Sequence, residues 1–216
     1  MWISSRIKSR LRGHGTAPED LAVRNWGKWY DSASRAYIIM KNSVKTFSIG
    51  GFSMGAGIAL LQAANNPGRF AGVISINAPL KLKGIASKFA SIVVAWNKLL
   101  SNIHVNKGKM EFVENVPENP EINYLRNPVS GGSELGKLMK LVENQLKNVM
   151  EPTLIIQGSD DPVVNSVSAL EIFEKLGTKD KQLLRIYAQH HGILRGREAD
   201  KVNAMVLMFL RELSSK

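Results

Sequence analysis

Short apolar runs alternate along this chain with stretches of helical periodicity, and that order constrains the fold more than any single residue does. Val44 to Ile49, Phe70 to Ile76, Thr153 to Gln157 and Gln182 to Tyr187 have the length and apolar content of strands covered by helices. Asn25 to Met40, Met54 to Asn65, Val167 to Leu176 and Glu198 to Leu213 read as helices beside them. Thr16-Ala17-Pro18 before Glu19 and Asp20 reads as a helix start with Thr16 as N-cap. This sequence of elements builds parallel βαβ units rather than a β-sandwich or a bundle. The alternation fails from Pro79 to about Met150. Helix candidates at Ile85–Leu100, Glu111–Val116 and Ser133–Val149 are joined there by Pro-, Asn- and Gly-rich segments. The expectation is one α/β domain over residues 1–216, a mostly parallel sheet with helices on both faces, and a helical insertion at 79–150.

With 44% hydrophobic residues the chain can bury a full core as one domain. It has no cysteine, which excludes disulfides, thiolate zinc sites and cysteine nucleophiles. No histidine and carboxylate pair has metal-ligand spacing, so neither a metal nor a cofactor is expected. The net charge of +11 comes from basic residues spread without runs or aromatic interleaving, which argues against a nucleic-acid partner. Asp31 to Glu111 encloses no acidic residue; a field of that sign can steer anionic ligands or favour an anionic membrane surface, but a well-solvated basic surface is the favoured reading. Arg6, Lys8, Arg10 and Arg12 are followed by no apolar h-region, and Ile85 to Leu100 is too short and too charged to span a bilayer. A soluble cytoplasmic protein is the expectation.

Gly51-Phe52-Ser53-Met54-Gly55 is a G-x-S-x-G sequence between an apolar run and an Ala/Leu-rich helical one. That strand–turn–helix setting is what a nucleophile elbow requires, with the serine at the tip of the turn and at a helix N-terminus. The N–H of Met54 would then be one oxyanion donor. A phosphate-binding turn fits less well. Gly50-Gly51 does not open a G-x-G-x-x-G, and the Lys of a P-loop is missing.

A serine nucleophile needs a base, and the base needs an acid to orient it. Leu154 to Val164 is a buried-type strand running into a polar turn with Asp160 and Asp161, and Leu183 to Gly192 is the next strand, ending in His190 and His191. Spacing alone leaves each pair open. His104 lies among Lys and Asn residues and reads as solvated, and His14 reads as a loop histidine.

These pieces together resemble the bacterial carboxylesterases and monoacylglycerol lipases of the α/β-hydrolase fold. The resemblance runs from Leu11-Arg12-Gly13-His14-Gly15 and Pro18-Glu19-Asp20-Leu21 through Trp26-x-x-Trp29, the Ser53 motif, Asn77-Ala78-Pro79 and Gln157 to Val164, to His190-His191-Gly192. It implies a Ser53–His191–Asp161 triad, because the family's acid is the second aspartate and its base the second histidine. It also implies an acyl-enzyme, a small acyl-ester substrate, and the insertion as a helical cap. The family opens with further strands, one ending in a His-Gly-Phe-type loop that gives the second oxyanion donor. Here the polar Ser4 to Ser9 stands in that place, so the donor's source is open. The alternative expectation is a non-catalytic or N-terminally truncated relative that binds a lipid or partner. An open sheet edge also offers a route to a homodimer.

Overall fold

Among the described residues four parallel strands form the main sheet: β1 (Ile49–Phe52), β2 (Val73–Ile76), β5 (Thr153–Gly158) and β6 (Lys181–Ile186), hydrogen-bonded in the order β1-β2-β5-β6. The structure, a computed structural model, describes residues 8–83, 86–102, 108–121 and 123–215. His104 and the opening residues through Ile7 therefore lie outside what is described. Around the sheet run α1 (Pro18–Ala22), α2 (Trp26–Ser43), α3 (Met54–Asn65), α6 (Val167–Lys175) and α7 (Ala199–Ser214). Between β2 and β5 come α4 (Ala86–Asn102), an antiparallel pair β3 (Phe112–Glu114) and β4 (Arg126–Pro128), and α5 (Val129–Gln145).

Side-chain alternation along the strands divides the core in two. Val73 and Ile155 face a cluster with Trp29, Leu60, Leu61, Leu138, Val142 and Ile172. Ile74, Ile76, Leu154 and Ile156 face the opposite one, closed by Val202 and Phe209 of α7. The helix α3 is buried almost all round, from Ala56 to Ala64, which accounts for its lack of a polar face. Truncating Ile156, which is 0% exposed, should cost about 2–5 kcal/mol of stability in urea unfolding, with the four-strand sheet intact by circular dichroism.

Three local expectations are corrected. The first strand runs over Ile49–Phe52, not Val44–Ile49. Phe47 packs edge-on against Phe70 at 5.4 Å instead, and sheet pairing starts only where Ile49 meets Val73. Glu111–Val116 is no helix. Phe112, Val113 and Glu114 pair with Pro128, Asn127 and Arg126, an aromatic and a β-branched residue suiting a short edge pair that can hold a proline. Thr16 does not cap α1. Ala17 holds the N-cap position, and the Thr16 hydroxyl donates to Asp20 Oδ2 at 2.9 Å.

Candidate active site

Ser53 sits between β1 and α3 with φ 52° and ψ −125°, a conformation that costs a non-glycine residue about 1–3 kcal/mol. The turn is held in it. Ser53 N–H donates to Ile76 C=O at 2.8 Å, and Ser53 C=O accepts from Ala56 N–H at 2.9 Å. Gly51 makes the close turn feasible, since a Cβ there would lie 2.1 Å from the Gly55 carbonyl oxygen. Gly55, by contrast, has open space where its Cβ would stand. Met54 N–H, the first of α3, meets no acceptor among the described residues and points from the positive end of a 12-residue helix.

The loops after β5 and β6 bring the other two residues to Ser53. Ser159 N–H donates to Ile186 C=O at 2.8 Å and Asp160 N–H to Ala188 C=O at 3.1 Å, so the two loops are tied to each other. His191 Nε2 lies 2.8 Å from Ser53 Oγ, and His191 Nδ1 lies 2.7 Å from Asp161 Oδ2. Phe52 packs on the imidazole at 4.8 Å between ring centroids. Within each ambiguous pair the structure separates the members. Asp160 is exposed, whereas Asp161 is 0% exposed and its Oδ1 accepts from Val163 and Val164 N–H at 2.8 and 2.9 Å. His190 Nε2 faces Glu198 at 3.1 Å rather than the serine.

Burial by itself would raise the Asp161 pKa. The hydrogen bond from His191, the two main-chain N–H groups and the attraction to His191 outweigh it and leave the pKa below the ordinary carboxylate value. A depressed pKa contributes stability that is fully present above the unfolded value, and it is lost as pH falls through the folded one. Asp161→Asn should therefore flatten the acid side of the stability profile below about pH 4, read as urea midpoints across pH.

Two further side chains hold the histidine's main chain. Asn77, fully buried with φ 46°, donates from Nδ2 to His191 C=O at 2.9 Å and accepts from Gly158 N–H at 2.8 Å. Glu118 accepts from His191 N–H at 2.5 Å and from Gly192 N–H at 3.0 Å. Asn77 stands in a motif the sequence singled out without a role, whereas Glu118 carries no sequence signal beyond its place in a proline-flanked turn. His14 packs edge-on against Trp29 at 5.8 Å, and burial lowers its pKa. Among the described residues no group of three His, Cys, Asp or Glu could hold a metal ion, and no helix is long and apolar enough to cross a membrane.

A strained serine between strand and helix, reached by a histidine and an aspartate from later strand ends of a parallel sheet, defines a protein of the α/β-hydrolase fold. The chain belongs to the hydrolase family described as serine aminopeptidase, S33, whose pattern matches residues 11–198. It is 27% identical over 182 residues to a thermostable monoacylglycerol lipase of Bacillus sp. (strain H-257), covering 84% of this chain and 69% of that one. It is 25% identical over 205 residues to a carboxylesterase of Bacillus subtilis (strain 168), covering 94% and 80%. Among solved structures, one from a study of two metagenome-derived lipolytic enzymes superposes with a TM-score of 0.81 at 23% identity, over 94% of this chain and 80% of that one. A monoglyceride lipase variant from Saccharomyces cerevisiae gives 0.68 at 15% identity, over 92% and 74%.

Proposed function

We propose that the protein is a serine carboxylic-ester hydrolase working through an acyl-enzyme. The observation that carries this is the unbroken hydrogen-bonded line from Ser53 Oγ through the two nitrogens of His191 to Asp161. Ser53 Oγ attacks the ester carbonyl as His191 Nε2 takes its proton, and Met54 N–H donates to the oxyanion. His191 returns the proton to the departing alcohol, leaving Ser53 acylated. Water then attacks the acyl carbon as His191 takes its proton; the bond to Ser53 Oγ breaks, the proton returns to that oxygen, and the acid leaves. Asp161, with Oδ1 fixed by Val163 and Val164, keeps the proton on Nδ1 and stabilises the imidazolium.

The named lipase and carboxylesterase relatives support an ester, and a monoacylglycerol or medium-chain ester within that class. In this reading residues 79–150 cover the acyl chain. The helix α4 in that stretch leaves Ile92, Trp96 and Leu99 more than half exposed, apolar surface suited to such a substrate. The test is a panel of p-nitrophenyl esters from acetate to decanoate, a monoacylglycerol and an aminoacyl p-nitroanilide. Turnover of esters but not of the anilide is the expected result. Ester binding without turnover in folded protein would overturn it and favour a binding protein.

A further inference from the structure

The insertion reaches back to the histidine loop through the side chain of Glu118. We propose that Glu118 is a positioning residue for His191, holding its main chain while Asp161 holds its ring; this rests on the reading of His191 as the base. One carboxylate receives two consecutive main-chain N–H groups, His191 through Oε1 at 2.5 Å and Gly192 through Oε2 at 3.0 Å. Bonds of this kind to an ionised acceptor are shorter and roughly twice as strong as neutral ones. Gly192 admits the approach narrowly, because a Cβ there would stand 3.0 Å from Glu118 Oε2. With Asn77 on its carbonyl, His191 is held at C=O, N–H and ring together.

Glu118 is exposed, and an exposed carboxylate on a floppy loop would order nothing. The loop is tied at several points instead. Pro117 and Pro120 fix φ on either side of the Glu118-Asn119 pair. The Asn119 carbonyl accepts from Asn123 N–H and Nδ2 at 3.1 and 3.0 Å. Asn115 closes the neck, donating from Nδ2 to Tyr124 C=O at 2.8 Å and from its N–H to Leu125 C=O at 2.8 Å. The far side is moored on the loop before α1: Tyr124 Oη accepts from Thr16 N–H at 2.8 Å and donates to Gly13 C=O at 2.9 Å, and Arg126 pairs with Glu19. The excursion from β3 to β4 is thus a strap from the Gly13 loop to the His191 loop, with Glu118 as its fastening.

The experiment compares Glu118→Ala, Glu118→Gln and the parent chain by ester kinetics and by main-chain amide NMR. Misplacing the base weakens the transition state without touching ground-state binding. Glu118→Ala should therefore lower kcat about tenfold or more while KM stays within about twofold. Glu118→Gln keeps one carbonyl acceptor and should fall between the two. In the parent the His191 and Gly192 amide protons should resonate downfield and exchange slowly, and in Glu118→Ala both should move upfield and exchange faster. Unchanged amides overturn the proposal whether or not the protein turns over esters, and so does a parent-like kcat in Glu118→Ala. A parent inactive on all esters, with the amide changes present, would sink the esterase reading and leave the main-chain contact standing.

Discussion

Replacing Ser53 by alanine should lower ester turnover by about a millionfold, and replacing His191 by alanine should do nearly the same. The two losses do not add. On the proposed mechanism, losing the attacking oxygen leaves the imidazole 2.8 Å away with no proton to take, so the double variant should be no slower than either single one. His190→Ala is the internal control. Its ring faces Glu198 at 3.1 Å, so its loss should change kcat only a few-fold. The measurement is steady-state hydrolysis of the best p-nitrophenyl ester by each purified variant. A His190→Ala enzyme as dead as His191→Ala would mean that the wrong histidine has been assigned the base's role.

The second large effect lies in the two glycines that flank the serine, which should respond in opposite directions. A methyl group at position 51 would stand 2.1 Å from the Gly55 oxygen, 2.2 Å from its carbon and 2.5 Å from Ala56 nitrogen. All three atoms belong to the first turn of α3 and cannot retreat without moving Ser53. Gly51→Ala should cost about 3 kcal/mol or more in urea unfolding, and activity should fall with it. Gly55 has nothing within 4 Å of the corresponding point and sits inside the helix. Gly55→Ala should leave stability unchanged or raise it by up to about 1 kcal/mol, as the better helix former. Equal losses at both positions would mean that the elbow is not packed as described.

The contrast shows what kind of information a sequence carries. Repeating apolar residues disclosed the α/β layers because burial on two faces of a sheet imposes a pattern, and α3 begins and ends at Met54 and Asn65 as its residues indicate. Register leaves a weaker trace. Gly50 and Gly51 are poor strand formers, yet both pair with β2, with a Gly50 Cβ position only 3.2 Å from Ile74. The three residues of β3 were too few to show a period, so their polar flanks passed for helix. At the site, side chains that meet other side chains were readable as residue types at strand ends. The choice of Asp161 over Asp160 needed the resemblance, because both aspartates occupy the same turn. Glu118 was invisible for a more basic reason: its partners are main-chain N–H groups, which every residue but proline possesses.

The sheet's central seam has a consequence for how the chain comes off the ribosome. Val73 pairs with Thr153, so β2 finds one of its two neighbours only after another 80 residues have been made. At roughly 5–20 residues per second that is a wait of about 4–16 s, with the apolar Val73-Ile74-Ser75-Ile76 edge open on that side. Nascent chains stalled before β5 should therefore engage hydrophobic-edge chaperones, and those released with β5 complete should not. Synonymous codons that slow the stretch between the two strands, which leave the finished protein untouched, should then lower how much of it is recovered in soluble form.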